Sequence, residues 1–221
     1  MKRIILASGS PRRLELMHQA GFEVEVIPSH SIEKISGSTP EEVVQRLSRQ
    51  KAEDVAQMLA GKVENTSQIP GGEGINSAQR VPNNEKNTVD ASCIILGADT
   101  IVVRDAEILG KPADRAHAIA MLQSLSGRSH DVYTGVTLAE LQDGTICRED
   151  TFAVRTKVYV CSMTDQEICD YVDSGDPMDK AGGYGIQGIF ARFVEKIDGD
   201  YYNVVGLPVS EVYHRLKNWM D

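Results

Sequence analysis

Two adjacent arginines stand where an isolated helix disfavours cations. The stretch Ser8-Gly9-Ser10-Pro11-Arg12-Arg13 follows the apolar run Ile4-Ile5-Leu6-Ala7, which reads as a strand. It leads into Leu14, Met17 and Ala20, a helical spacing closed by Gly21. Ser10 suits the N-cap and Pro11 the first helical position. Arg12 and Arg13 then fall in the first turn, beside the partial positive charge of the helix N-terminus. A bound anion reverses that penalty, because the N–H groups and both guanidinium groups would face it together.

Further charges interrupt apolar patterns downstream. Asp99 lies within the strand-like run "CIILGADTIVV", where a carboxylate needs a partner or a metal. Taken alone, it could equally be a buried aspartate satisfied at a bulge made by Gly97. Lys51 falls on the apolar stripe of its helix, four residues from both Leu47 and Val55. Lys111, in Gly110-Lys111-Pro112, follows a short strand, and Glu33 lies between a strand and a capped helix. Singly, each has an ordinary explanation, such as a lysine snorkelling from the core edge or a solvated loop residue. Together they offer three to four cations and two carboxylates at element ends. That inventory suits a polyphosphate with a divalent metal: forks and ammonium groups for phosphate oxygens, carboxylates for a hydrated Mg²⁺.

The elements that must hold these groups alternate between helix and strand. Thr39-Pro40-Glu41-Glu42 is a capping box opening a helix through Val44, Leu47, Val55 and Leu59. Residues 61–92 are rich in Gly, Asn, Ser and Glu without a periodic apolar set, and read as a mobile surface insertion. Two strands flank Asp105-Ala106, the spacing is helical from Ala113 to Leu125, and a hairpin turns at Asp143-Gly144. Thr164-Asp165-Gln166-Glu167 caps another helix. The glycine-rich loop "DKAGGYGIQG" (179–188) follows, then "IFARFVEKI" as a strand, strands on both sides of Asp198-Gly199, and a final helix from Pro208. The mixture predicts an α/β or α+β chain with a mixed sheet, not a clean parallel βαβ series, forming one domain over residues 1–221.

Composition narrows the function classes. The 221 residues are 41% hydrophobic and 25% charged, typical of a soluble globular chain. A net charge of −9 argues against gripping a nucleic-acid polymer, though not against a local basic pocket. The first apolar run is too short for a signal peptide or membrane span. The four cysteines form no C-x-x-C pair, so reduced thiols in the cytoplasm are expected. "GYGIQG" matches G-x-G-x-x-G but lacks the preceding strand and following helix of a dinucleotide site. Walker A, H-E-x-x-H, G-x-S-x-G and kinase signatures do not occur.

The ordered set "LASGSPRR", "RLSRQKA", "LGADTIVV", "GKP", "SGRSHDVYTGV", "DKAGGYGIQG" and "VVGLP" resembles the Maf family of septum-formation-associated nucleotide pyrophosphatases across nearly the whole chain. The resemblance implies a two-lobed α/β fold with a central cleft, like inosine-triphosphate pyrophosphatases. It further implies metal-dependent (Mg or Mn) hydrolysis of nucleoside triphosphates to a monophosphate and pyrophosphate, and a homodimer. On matching positions, Asp99 would be the catalytic acid/base, with Arg13, Lys51 and Lys111 on the phosphates. Glu33 would assist Asp99 in holding the metal. "SPRR" and "GIQG" resemble the dTTP/UTP branch, making Arg12, Thr100 and Gln187 its specificity set. The 7-methyl-GTP branch tends to carry an aromatic before the second arginine and an acid in the glycine loop. A nucleotide-binding module of septation without turnover is the alternative from another class.

Overall fold

The computed structural model describes residues 2–66 and 92–220. Its first strand, β1 (Arg3–Leu6), is followed by α1 (Pro11–Gln19), β2 (Val24–Val26) and the long α2 (Pro40–Thr66). Next come β3 (Ser92–Arg104), β4 (Glu107–Leu109), α3 (Arg115–Leu125), β5 (Ser129–Gln142), β6 (Thr145–Val160) and α4 (Asp165–Asp173). Short 3-10 turns lead to β7 (Val194–Asp198), α5 (Tyr201–Val205) and α6 (Val209–Met220). The strands form one seven-stranded mixed sheet in the order β2-β1-β3-β5-β6-β7, with β4 paired to β3. That is the mixed sheet the sequence predicts, in the α/β class the resemblance implies.

The sheet has a gap where the site needs one. β1 runs parallel to the start of β3 and its last pair is Leu6 with Leu96. β4 joins the same edge of β3 only from Val102 onward. Across residues 97–101, β3 pairs with β5 alone. The gap separates β1 and β2 from β4 along that edge of β3. It opens at the carboxyl end of parallel β1, where open α/β sheets bind ligands.

Alternation along β3 sends neighbouring residues to opposite faces. Ile95, Ile101 and Val103 pack toward α2, with Val44, Leu47 and Val55. Ile94, Leu96, Ala98 and Val102 join the larger core on the other face, which includes Leu16 and Met17 of α1. Asp99 therefore belongs to the α2 face and Thr100 to the α1 face.

Gly97 makes no bulge; β3 and β5 stay in register past it. It is small because α2 lies directly on the sheet: a Cβ there would sit 2.2 Å from the Ser48 carbonyl oxygen. Gly135, opposite Asp99 on β5, is under the same constraint, 2.2 Å from the Val44 carbonyl oxygen. Ser48, fully buried, pins the contact through a 2.9 Å hydrogen bond to Thr137. The pair of glycines thus lowers α2 until Lys51 reaches Asp99. Gly135→Ala must displace backbone rather than a side-chain tip. It is expected to cost about 3 kcal/mol, the upper part of the overpacking range, read as a lower urea midpoint. An unchanged midpoint would show that α2 is not held this closely.

Other sequence expectations require correction. Residues 61–66 continue α2, while residues 67–91 of the expected insertion lie outside the described residues. Ile189–Phe193 is a 3-10 turn, so only Val194–Asp198 of that run is strand. After Gly199 the chain forms α5 instead of a strand, because the Asp200 side chain accepts a 2.8 Å bond from the Tyr202 N–H. Ser10 holds the N-cap position of α1 without making a side-chain cap bond. Ser10 and Pro11 instead line the central cavity. All four cysteines are unbridged, and no described helix is long and apolar enough to cross a membrane.

Candidate active site

A cavity of about 940 Å³ occupies the gap, and all eight residues singled out from the sequence line it: Arg12, Arg13, Glu33, Lys51, Asp99, Thr100, Lys111 and Gln187. They come from α1, the β2–α2 loop, α2, β3, the segment after β4, and the glycine-rich loop. That volume is at the large end of small-molecule sites and accommodates a nucleoside triphosphate.

Lys51 is the hinge of the acidic side. Its Nζ donates to Asp99 Oδ1 at 2.5 Å and lies 2.8 Å from Glu33 Oε1. Asp99 and Lys51 are largely buried, whereas Glu33 is about half exposed on its loop. The Lys51 hydrogen bond holds the Glu33 carboxyl below its usual range, against the opposing effect of burial. Glu33 is therefore a carboxylate throughout the neutral range. Two carboxylates converging on one cation are hard oxygen donors of the kind Mg²⁺ and Mn²⁺ prefer. No cluster of three His, Cys, Asp or Glu side chains able to hold a metal occurs among the described residues. A divalent ion at this pair would displace the Lys51 ammonium from one or both oxygens and would take its remaining ligands from phosphate oxygens and water, a pattern common for Mg²⁺.

Arg13 is anchored differently, by neutral acceptors. Its Nε donates to the Gly206 carbonyl at 2.8 Å, Nη1 to Ser8 Oγ at 3.0 Å and Nη2 to Thr100 Oγ1 at 3.0 Å. Burial lowers its pKa and the charge of Asp99 opposes that shift, but a guanidinium stays protonated at any working pH. None of the three anchoring groups cancels its charge. Two N–H donors of the fork are left over from these three bonds.

The glycine-rich loop closes the other side. Arg12 and Gly185 both line the cavity, and Arg12 Nη1 lies 3.6 Å from where a side chain would begin at Gly185. The same missing side chain makes room for Lys180, whose Cε would be 2.9 Å away. Lys180, Asp176 and Asp179 also line the cavity, and the sequence reading overlooked them. The lysine donates to the Asp176 carbonyl and the Asp179 carboxylate, each at 2.6 Å, tying the loop to itself. A lysine flanked by acids inside a glycine-rich loop was the available signal.

Tyr184 fastens this loop to the sheet. Its hydroxyl is 2.6 Å from Nε2 of the buried His130 on β5, and the His130 Nδ1 is buried without a hydrogen-bond partner. Burial pushes the imidazole pKa down to about 4, against the raising charge of Asp131. The unfolded chain binds a proton below about pH 6.5, which the fold refuses until about 4. This contribution is complete above the upper value and is lost as pH falls through the window, by at most ~1.4 kcal/mol per pH unit. His130→Gln is expected to flatten the fall in urea midpoint on acidification from neutrality; an undiminished slope would exclude His130 as its source.

The fold and site define a class: an α/β protein whose mixed sheet opens on a cleft lined by arginines, lysines and carboxylates. The chain belongs to the Maf-like protein family, whose pattern matches residues 3–219. Among its relatives, a protein of Bacillus anthracis is 44% identical over 99% of this chain and 96% of its own length. One of Agathobacter rectalis is 43% identical over 98% of this chain and 97% of its own length. One of Lachnoclostridium phytofermentans is 42% identical over 99% and 96% respectively. All three are named dTTP/UTP pyrophosphatase. A solved HAM1 protein from Coxiella burnetii aligns with a TM-score of 0.47 at 14% identity, covering 99% of this chain and 100% of that one.

Proposed function

We propose that this chain is a metal-dependent nucleoside triphosphate pyrophosphatase acting on dTTP and UTP. The observation that carries the reading is the convergence of Arg13, Lys51 and Lys111 with Asp99 and Glu33 in one cavity. The names of the full-length relatives support the substrate class.

Asp99 takes the proton of a water that attacks the α-phosphorus. The new bond is from water oxygen to α-phosphorus; the bond from that phosphorus to the bridging oxygen breaks, and pyrophosphate leaves. Arg13 and Lys111 stabilise the charge growing on the leaving group, with donors already in place. Lys51 keeps the two carboxylates in register through its paired contacts. Mg²⁺ or Mn²⁺ would be held by Glu33 and Asp99 and would supply Lewis acidity toward the phosphate oxygens. Gln187 offers both a donor and an acceptor, as the edge of uracil or thymine requires. Arg12, lining the same cavity, sets the approach of the nucleotide, and Thr100 enters the choice by holding Arg13.

Incubation with UTP, dTTP, 7-methyl-GTP and ITP, each with Mg²⁺ or Mn²⁺, tests this by pyrophosphate release. Fastest turnover is expected with the two pyrimidine nucleotides. Preferred hydrolysis of 7-methyl-GTP would move the chain to the other branch, and tight binding without release of pyrophosphate would make it a nucleotide-binding module.

A further inference from the structure

We propose that Thr134 on β5 is a positioning residue for Arg13, acting through Thr100. The inference rests on the reading of Arg13 as the phosphate clamp and adds a residue that touches neither nucleotide nor metal. Thr134 is fully buried. Its Oγ1 lies 2.9 Å from Thr100 Oγ1 and 3.0 Å from the Asn203 carbonyl oxygen.

Each hydroxyl has one proton to give, and a carbonyl can only accept. The Thr134 proton goes to the Asn203 carbonyl, so Thr134 accepts the proton of Thr100. With its own proton turned away, Thr100 presents a lone pair to Arg13 Nη2 at 3.0 Å. The reverse orientation would deprive the Asn203 carbonyl of the threonine proton. It would also send the Thr100 proton to the Gly206 carbonyl at 3.5 Å, an oxygen that already accepts from Arg13 Nε at 2.8 Å. The chain of donors therefore runs one way, from guanidinium to backbone.

The end of that chain is itself fixed. Asn203, also fully buried, donates through Nδ2 to the Val132 carbonyl at 3.1 Å and to Thr156 Oγ1 at 3.0 Å. The relay thus orients Arg13 from the rigid β5–β6 pair without placing a carboxylate beside it. A carboxylate would hold the fork as firmly but would cancel the charge needed for phosphate. Neutral hydroxyls keep direction and charge together.

The test measures binding by calorimetry with two probes, inorganic pyrophosphate and the non-hydrolysable α,β-imido analogue of UTP, alongside steady-state kinetics with UTP. Thr134→Val keeps shape and loses the relay. It is expected to weaken both probes about tenfold, the scale of one hydrogen bond to a charged group. The KM for UTP should rise by a similar factor, with kcat changing far less, and Thr134→Ser should restore wild-type values. Thr100→Val should weaken binding likewise, and the Thr100→Val/Thr134→Val double variant should be no weaker than Thr100→Val alone, because both interrupt one chain. Wild-type affinity in Thr134→Val, or additive losses in the double variant, would overturn the proposal. Should thermal melts show that Thr134→Val does not fold, Thr134→Cys replaces it. Its weak donor is expected to lose about threefold, and wild-type affinity there overturns the proposal equally. Full probe affinity in Arg13→Ala would instead remove the reading of Arg13 on which the relay depends.

Discussion

Asp99→Asn is expected to reduce pyrophosphate release from UTP by roughly 10²–10⁴-fold, the contribution of a positioned general base. Asparagine keeps the side-chain volume and an acceptor oxygen but does not take a proton from water. Lys51 retains its 2.8 Å contact with Glu33, so the cavity wall has reason to stay in place. Affinity for the α,β-imido analogue should therefore change far less than kcat. The measurement is turnover of UTP with saturating Mg²⁺, beside calorimetric binding of the analogue. Release within tenfold of wild type would remove Asp99 from the chemistry. A parallel loss of binding and turnover would make it a binding residue only.

Lys51→Met is the second large effect, and it acts on stability as well as rate. The ammonium bridges Asp99 at 2.5 Å and Glu33 at 2.8 Å in a largely buried position. Its removal leaves two carboxylates facing each other across an apolar side chain. Breaking a buried pair costs about 3–5 kcal/mol; the half-exposed Glu33 can turn to water, so about 2–3 kcal/mol is expected here. Turnover should fall at least a hundredfold, in the range set by a lost preorganised electrostatic partner. Divalent ions offer a distinguishing readout, because binding to the folded state raises its stability. With the lysine gone, Mg²⁺ or Mn²⁺ should raise the melting temperature of the variant more than that of the wild type. No metal-induced shift in either protein would show that Glu33 and Asp99 do not form a cation site.

The reversed helix rule at Arg12 and Arg13 was legible because one local expectation was broken at a defined position. The same holds for Asp99 in an apolar strand and Lys51 on an apolar stripe. Charges in places where burial is costly need a compensating group, and that requirement can be read without coordinates. The motif order along the chain then identified the family, which in turn implied roles for these residues. Elements with explicit caps were also readable: Thr164 makes both arms of its capping box, as expected. The strand expected after Gly199 failed because a short helix is held by the Asp200 cap and by packing of Asn203 beneath it, neither of which leaves an apolar period.

Residue types and their spacing thus pointed by themselves to a set of cations and paired carboxylates suited to a polyanion, on a frame of mixed helices and strands. Tertiary structure decided which charge faces which. Asp99 and Thr100 are adjacent in sequence but point to opposite faces of β3, so one is reached by Lys51 of α2 and the other by Arg13 of α1. Both serve one cavity only because β1 ends and β4 begins on either side of them, leaving the edge of β3 open across residues 97–101. The glycines that let α2 descend, the Tyr184–His130 tie of the loop and the hydroxyl relay behind Arg13 depend on approaches between elements distant in the chain. Such approaches are set by packing of whole faces, which no local pattern encodes.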